Sequence, residues 1–343
     1  MRRLLWLSVT ATSAALLACA AYLWMPRRGL DVQPPSADVV AGLRSVVISL
    51  GGTDPETPLR DLSALHPLLA DRRIVAMGEA THGTHEFFRA QHRMFRYLVE
   101  REGFTRFGME VSPEAGKLAN AFIQGGEGSA SQTVHLLGLW PWATVEVRDL
   151  LQWMREYNAS AEPGRRIDFF GFSVWGADRD RRMADEVTRY VESDADSGRV
   201  FLWAHNAHVS TRASAMGHYL RERWGAGLYV IGLEFDEGRF RMRSMKSVRG
   251  VSFGVGAVAP AGPEFYVAPL AELNDPVLFL DLGTAMRLPA LSAWLRSRRL
   301  THSIDEMYRL FRVSRKLVTW ADPWPDIFDG VFFVRTTTPA QGV

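Results

Sequence analysis

Arg73-Ile74-Val75-Ala76-Met77-Gly78 runs apolar into a glycine, and Glu79-Ala80-Thr81-His82-Gly83-Thr84-His85 follows before a long periodic segment begins. A short apolar run ending in glycine predicts a buried strand. Thr84–Arg101 then reads as a helix, with Thr84 placed to cap it and Glu86 in its first turn. Phe87, Phe88, Phe95, Leu98 and Val99 recur near the 3.6 period that makes one helix face apolar. Strand, polar loop and helix in that order form half of a parallel crossover unit.

The pattern repeats downstream. Strands are expected at Phe104–Val111, Arg166–Phe172, Arg199–Ala204, Gly227–Phe235, Val277–Leu282 and Val331–Val334. Helices are expected from Pro113 to Phe122 and over Val145–Tyr157, Arg179–Val191, Ala213–Trp224 and Ala290–Arg296. Thr144 is placed to cap the second of these, and Pro289 suits the first position of the last. Such alternation predicts an α/β fold, a mostly parallel sheet covered by helices. Arg239, Arg241 and Arg243 alternate with Phe240 and Met242, a period of two that reads as a solvated edge strand.

Composition narrows the function. The 343 residues are 47% hydrophobic and 23% charged, with 40 basic against 38 acidic side chains. These values fit a globular protein and exclude a disordered chain. Near-balance of charge argues against a nucleic-acid partner. The single cysteine, Cys19, allows no internal disulfide and no cysteine zinc site.

At the N-terminus, Arg2-Arg3 precedes an apolar run from Leu4 to Met25, closed by Arg27-Arg28. About 20 apolar residues suffice to span a bilayer as a helix. Ala18-Cys19-Ala20 also fits a small-x-small cleavage site, and Leu16-Leu17-Ala18-Cys19 a loose lipoprotein box. Residues 1–28 are therefore expected to be a signal peptide or membrane anchor, 29–45 a linker, and 46–340 the catalytic domain. Each variant exports the body to the bacterial envelope, tethered or free.

In an open parallel sheet the ligand site lies beyond the carboxyl ends of the strands. Polar residues gather there. The first strand runs into Glu79, His82 and His85, and the second ends at Glu110. The third ends at Ser173, and the fourth gives His205-Asn206-Ala207-His208. Two His-x-x-His pairs at equivalent positions point to one shared site.

In order along the chain, Gly78-Glu79-Ala80-Thr81-His82-Gly83-Thr84, Met109-Glu110 and Trp203-Ala204-His205-Asn206-Ala207-His208-Val209 resemble the erythromycin esterase family. Met216-Gly217, Leu220-Arg221-Glu222-Arg223 and Tyr229-Val230-Ile231-Gly232 extend the likeness, which covers about residues 60–240. The resemblance implies a hydrolase that cleaves a carboxylic ester or macrolactone without cofactor or metal, and whose best-known relatives confer macrolide resistance. The chain departs from the family pattern at Gln91, where an arginine is common, and at Ser173, where an aspartate is common. The family's later Ser-His-Tyr-like segment has no clear counterpart near Ser303–Tyr308.

Ester hydrolysis needs a base for water, a donor for the oxyanion and an acid for the leaving alkoxide. His82 is the expected base, with Glu79 or Glu110 orienting it. His205 or His208 would polarise the carbonyl or protonate the leaving group. His85, Arg89, Trp140 and Ser173 are candidate substrate contacts. The partner is a small-molecule ester, a macrolide or an acylated sugar.

Three other readings compete. Glu79, His82, His205 and His208 are acceptable metal ligands by type, although no helical His-Glu-x-x-His is present. Ser173, Asp281 and His302 follow the chain order of an α/β-hydrolase triad, but Trp175 stands where the nucleophile turn needs a small residue. Trp140, Trp142 and Trp175 would also serve a non-catalytic protein that binds glycan or lipid.

Overall fold

The computed structural model describes residues 29–193, 198–247, 250–304 and 319–343. The strands described are β1 (Ile48–Ser49), β2 (Ile74–Met77), β3 (Phe104–Met109), β4 (Asp168–Gly171), β5 (Arg199–Trp203), β6 (Leu228–Ser247), β7 (Gly250–Val258), β8 (Val277–Asp281), β9 (Thr301–His302), β10 (Thr319–Trp320) and β11 (Gly330–Thr337). The α-helices longer than one turn are α1 (Ala37–Val46), α2 (His85–Glu102), α3 (Pro113–Ile123), α4 (Ala130–Leu136), α5 (Val145–Ser160), α6 (Arg179–Glu192), α7 (Met216–Trp224) and α8 (Pro289–Arg296).

The main sheet has the order β1-β8-β11-β6-β2-β5-β3-β4, with β7 paired to β6 alone. The run from β11 to β4 is parallel throughout. β8 runs antiparallel to both of its neighbours, and β7 antiparallel to β6. The sheet is thus mostly parallel, with an antiparallel margin that periodicity alone does not reveal.

Both faces of the sheet are buried. Val75 and Met77 of β2 join one apolar cluster with Phe87, Phe88, Phe95 and Leu98 of α2. Ile74 and Ala76 join the other, with Val187 of α6 and Leu220 of α7. β5 alternates in the same way: Phe201 and Trp203 face the first cluster, Val200 and Leu202 the second. A strand covered on both sides reads as an unbroken apolar run, which is why Arg73–Gly78 shows no alternation.

Two expectations are corrected. Residues 29–45 are not a linker, because α1 buries Val39 and Leu43 in the second cluster. Each such burial is worth about 1.5–3 kcal/mol. Arg299 holds the preceding segment through an ion pair with Asp31 at 2.6 Å. The alternating arginines do mark a strand, but not a solvated edge: they lie on β6, paired with β7, and Arg241 is half-buried. The apolar segment 4–25 lies outside the described residues. Among the described residues no helix is long and apolar enough to cross a membrane.

Candidate active site

β2, β5 and β3 are adjacent and parallel, so their carboxyl ends place the Glu79–His85 loop, His205–His208 and Glu110 side by side. The β2 loop is fixed from several directions. The Asn206 backbone N–H donates to the Glu79 carbonyl at 2.9 Å. The Asn206 carboxamide bonds the Leu233 backbone in both directions, at 2.9 and 3.2 Å, and so ties β5 to β6. A Cβ at Gly83 would come 1.9 Å from the Arg241 carbonyl oxygen. Gly83 is required because β6 crosses directly over the loop, with Arg241 N–H donating to the Gly83 carbonyl at 2.8 Å. Ala340 N–H donates to the same carbonyl at 2.9 Å. Thr84 stands at the cap position of α2 without capping it; its hydroxyl instead meets that of Thr81 at 2.5 Å.

Glu79 is wholly buried and uses both oxygens. Oε1 lies 2.7 Å from His82 Nδ1, and Oε2 accepts the Trp203 indole N–H at 3.0 Å. Burial pushes the Glu79 carboxyl up, against these bonds. For His82, burial acts downward, but the Glu79 hydrogen bond and charge hold the imidazole above its ordinary value. Glu79, not Glu110, is therefore the carboxylate that orients His82. The remaining nitrogen of the ring, Nε2, has no protein partner among the described residues, and its ring centroid is 4.8 Å from that of His205.

His205 is neutral. Its Nδ1 accepts the Ala207 N–H at 3.1 Å, so the ring proton sits on Nε2, which is buried without a hydrogen-bond partner among the described residues. Burial first, and the His82 charge second, hold its pKa well below the ordinary value. His208 is the opposite case. Nδ1 meets Asp180 Oδ2 at 2.8 Å and Nε2 lies 3.3 Å from Glu110 Oε1. Burial works against its charge, yet the Glu110 and Asp180 carboxylates lift its pKa to about 9.

Glu110 joins the two halves. Its Oε2 accepts the His205 backbone N–H at 3.0 Å, and its Oε1 the Arg179 Nη2 at 2.8 Å. Burial alone would raise the carboxyl, but His208, His82 and Arg179 hold it well below the usual carboxylate range.

The other sequence candidates divide. Ser173 accepts from Arg179 Nη2 at 3.1 Å and so supports the guanidinium rather than facing His82. Trp140 lines a small cavity of about 10 Å³ with His82, Phe240, Arg241, Arg243 and Ile304. His85 bonds Glu146 at 2.5 Å and Arg89 pairs with Asp54 at 2.5 Å; neither bonds a member of the cluster. Gln91 donates to the Gly78 carbonyl at 3.0 Å, behind the loop.

Ser173, Asp281 and His302 do not form a triad. β8 and β4 are separated by five strands, about 29 Å at the usual spacing, and Asp281 ends a strand of opposite direction. Among the described residues no group of three or more His, Cys, Asp or Glu side chains is arranged to hold a metal ion.

Sequence reading missed Arg179 and Asp180, which complete the cluster, and Trp203, which holds Glu79. A signal for Arg179 exists. A basic residue opening a helix sits against the helix dipole and needs a carboxylate to justify it. Asp178 before it adopts φ 52°, uncommon for a residue with a side chain.

The chain matches the erythromycin esterase family model over residues 99–175 and 173–337. An Escherichia coli protein described as erythromycin esterase type II is 31% identical over 120 residues, which is 35% of this chain and 28% of that relative. The aligned part thus spans little more than a quarter of that protein. A Bacillus cereus protein of known structure superposes with a TM-score of 0.74 at 19% identity, over 90% of this chain and 100% of that one. The open conformation of a mutant of the erythromycin esterase EreC superposes with a TM-score of 0.63 at 14% identity, over 85% and 97%. At such identities the two likenesses speak for the fold, while the family match rests on the sequence itself and includes Glu110, Trp203, His205 and His208. The chain belongs to the erythromycin esterase family.

Proposed function

We propose that this protein hydrolyses a carboxylic ester or lactone with water activated by His82. The observation that carries the reading is the pairing of a carboxylate-oriented imidazole with a neutral one whose buried N–H has no hydrogen-bond partner among the described residues. Glu79 fixes the His82 proton on Nδ1, which leaves Nε2 as the acceptor. A water held there loses its proton to Nε2 as its oxygen attacks the ester carbonyl carbon. The carbonyl oxygen becomes an oxyanion and takes a hydrogen bond from His205 Nε2–H. Collapse breaks the bond to the leaving oxygen, which receives the proton from His82. Glu79 offsets the imidazolium charge in between, as a carboxylate partner does in other His-dependent hydrolases. The Glu110–Arg179–His208–Asp180 network holds His205 in place through its backbone.

The cavity beside His82, about 10 Å³, has room for a single water and lies far below the ~300–1,000 Å³ of drug-sized pockets. It suits the attacking water, with the ester directed outward. With residues 1–28 acting as an export signal or anchor, the substrate is met at or beyond the cytoplasmic membrane. The test is a panel of macrolides, aryl esters and acylated sugars, run with wild type and His82→Asn. Hydrolysis abolished by the substitution supports the reading. Saturable binding with no product from any ester overturns it in favour of a binding protein.

A further inference from the structure

Trp175 has the greatest exposure of any large apolar side chain among the described residues, at 69%. An exposed tryptophan is unremarkable alone, but this one is held. The Arg179 guanidinium carbon lies 4.7 Å from its ring centroid, and Arg182 Nη1 donates to its carbonyl at 2.8 Å. The same guanidinium donates to Glu110 Oε1 at 2.8 Å, and the other Glu110 oxygen meets the His205 backbone N–H. The indole is therefore a fixed plate at the rim of the site, one face on Arg179 and the rest open to solvent. With one face covered by Arg179, the other presents a flat apolar surface on which a planar ring stacks in offset fashion.

We propose that Trp175 is a specificity-determining residue and that the substrate is an ester with an aromatic ring on one half. The ring stacks on the open indole face while the carbonyl reaches His82. Because the contacts run from Trp175 through Arg179, Glu110 and His205 to His82, several bonds must separate ring from carbonyl. The carbonyl half of this proposal rests on the hydrolase reading above; the stacking half does not.

The experiment uses full-length protein and a series of N-(phenylalkyl)acetamides with spacers of increasing length, each matched to an alkyl amide of similar size. These are non-hydrolysable isosteres of acetates, and their affinities are measured by calorimetry. At the best spacer the phenyl compound should bind roughly three- to tenfold more tightly than its alkyl match, the range an aromatic pair supplies. Trp175→Leu should remove that preference, and Trp175→Phe should keep most of it. An equal phenyl-to-alkyl ratio in wild type and Trp175→Leu at every spacer overturns the proposal. The corresponding acetates separate the two readings. Trp175-dependent amide binding with no acetate cleaved retains the plate and sinks the hydrolase. Acetates cleaved with a ring preference indifferent to Trp175→Leu do the reverse.

Discussion

Two buried Glu–His pairs lie on the neighbouring strands β2 and β6, one just past a strand end and one within a strand, and they differ in access rather than in chemistry. At the end of β2, Glu79 meets His82 Nδ1 at 2.7 Å; on β6, Glu234 meets His302 Nδ1 at 3.1 Å. Both glutamates are wholly buried, and burial raises the carboxyl of each. His82 keeps 13% of its side chain exposed and borders a cavity. His302 keeps 2% and is stacked between Phe235 and Phe265, with centroids 4.6 and 4.5 Å away. Its Nε2 is buried without a partner among the described residues. A carboxylate-oriented imidazole is therefore not by itself a catalytic one. What distinguishes the first pair is that its ring borders a space with room for a water.

The sharpest way to break this comparison is to remove each imidazole. His82→Asn should lower kcat at least ~10²-fold, as loss of a general base does, with little change in melting temperature. His302→Asn should leave kcat within several-fold of wild type. It should cost about 1–3 kcal/mol of stability, because Glu234 loses a partner while buried. Equal loss of turnover in both variants would erase the distinction.

The His208 pair gives the next effect. Its folded pKa of about 9 lies above the unfolded value near 6.5, so the stability it contributes is complete below pH 6.5 and disappears as pH rises to 9. The loss should be on the order of 3 kcal/mol, and denaturant titrations across that window should show a flatter profile for His208→Asn. An unchanged slope would assign the lost stability to other groups.

The pH–rate profile refines the role of Glu79. Because His82 is held above its ordinary value, the rising limb of kcat/KM should lie above ~6.5, activity growing as the base loses its proton. Glu79→Gln should move that limb to lower pH. A limb that stays in place would give the orienting role to another group. The smallest effect is expected at His85: His85→Asn should change kcat only a few-fold, since its partner is Glu146 at the edge of α5.

Legibility followed contiguity. The β2 strand, its loop and α2 could be read because apolar run, glycine and helix period succeed one another without interruption. His205 and His208 could be read because they follow a strand at an equivalent place. Arg179 and Asp180 lie within a helix start rather than at a strand end, and what marks them is their partners, which only the fold supplies. α1 escaped because Pro34-Pro35 suggested a linker, whereas its burial depends on a distant surface built partly by α8. The reach of β6 past Phe235 was masked by its arginines, whose charge is accommodated partly by backbone carbonyls: Arg241 donates to those of Trp140 and Ala143. The family's Ser-His-Tyr-like departure falls largely in residues 305–308, outside those described.

The doubly used carbonyl of Gly83 sets a schedule for synthesis. The loop that carries His82 emerges early from the ribosome, while the two strands of chain that clamp it, around Arg241 and Ala340, emerge late. Contacts so distant in sequence close slowly, and domains form only once their partners are made. A nascent chain released before residue 340 would carry every residue of the catalytic cluster and lack half of the clamp. Turnover would then require the chain through Ala340 and not the cluster's motifs alone.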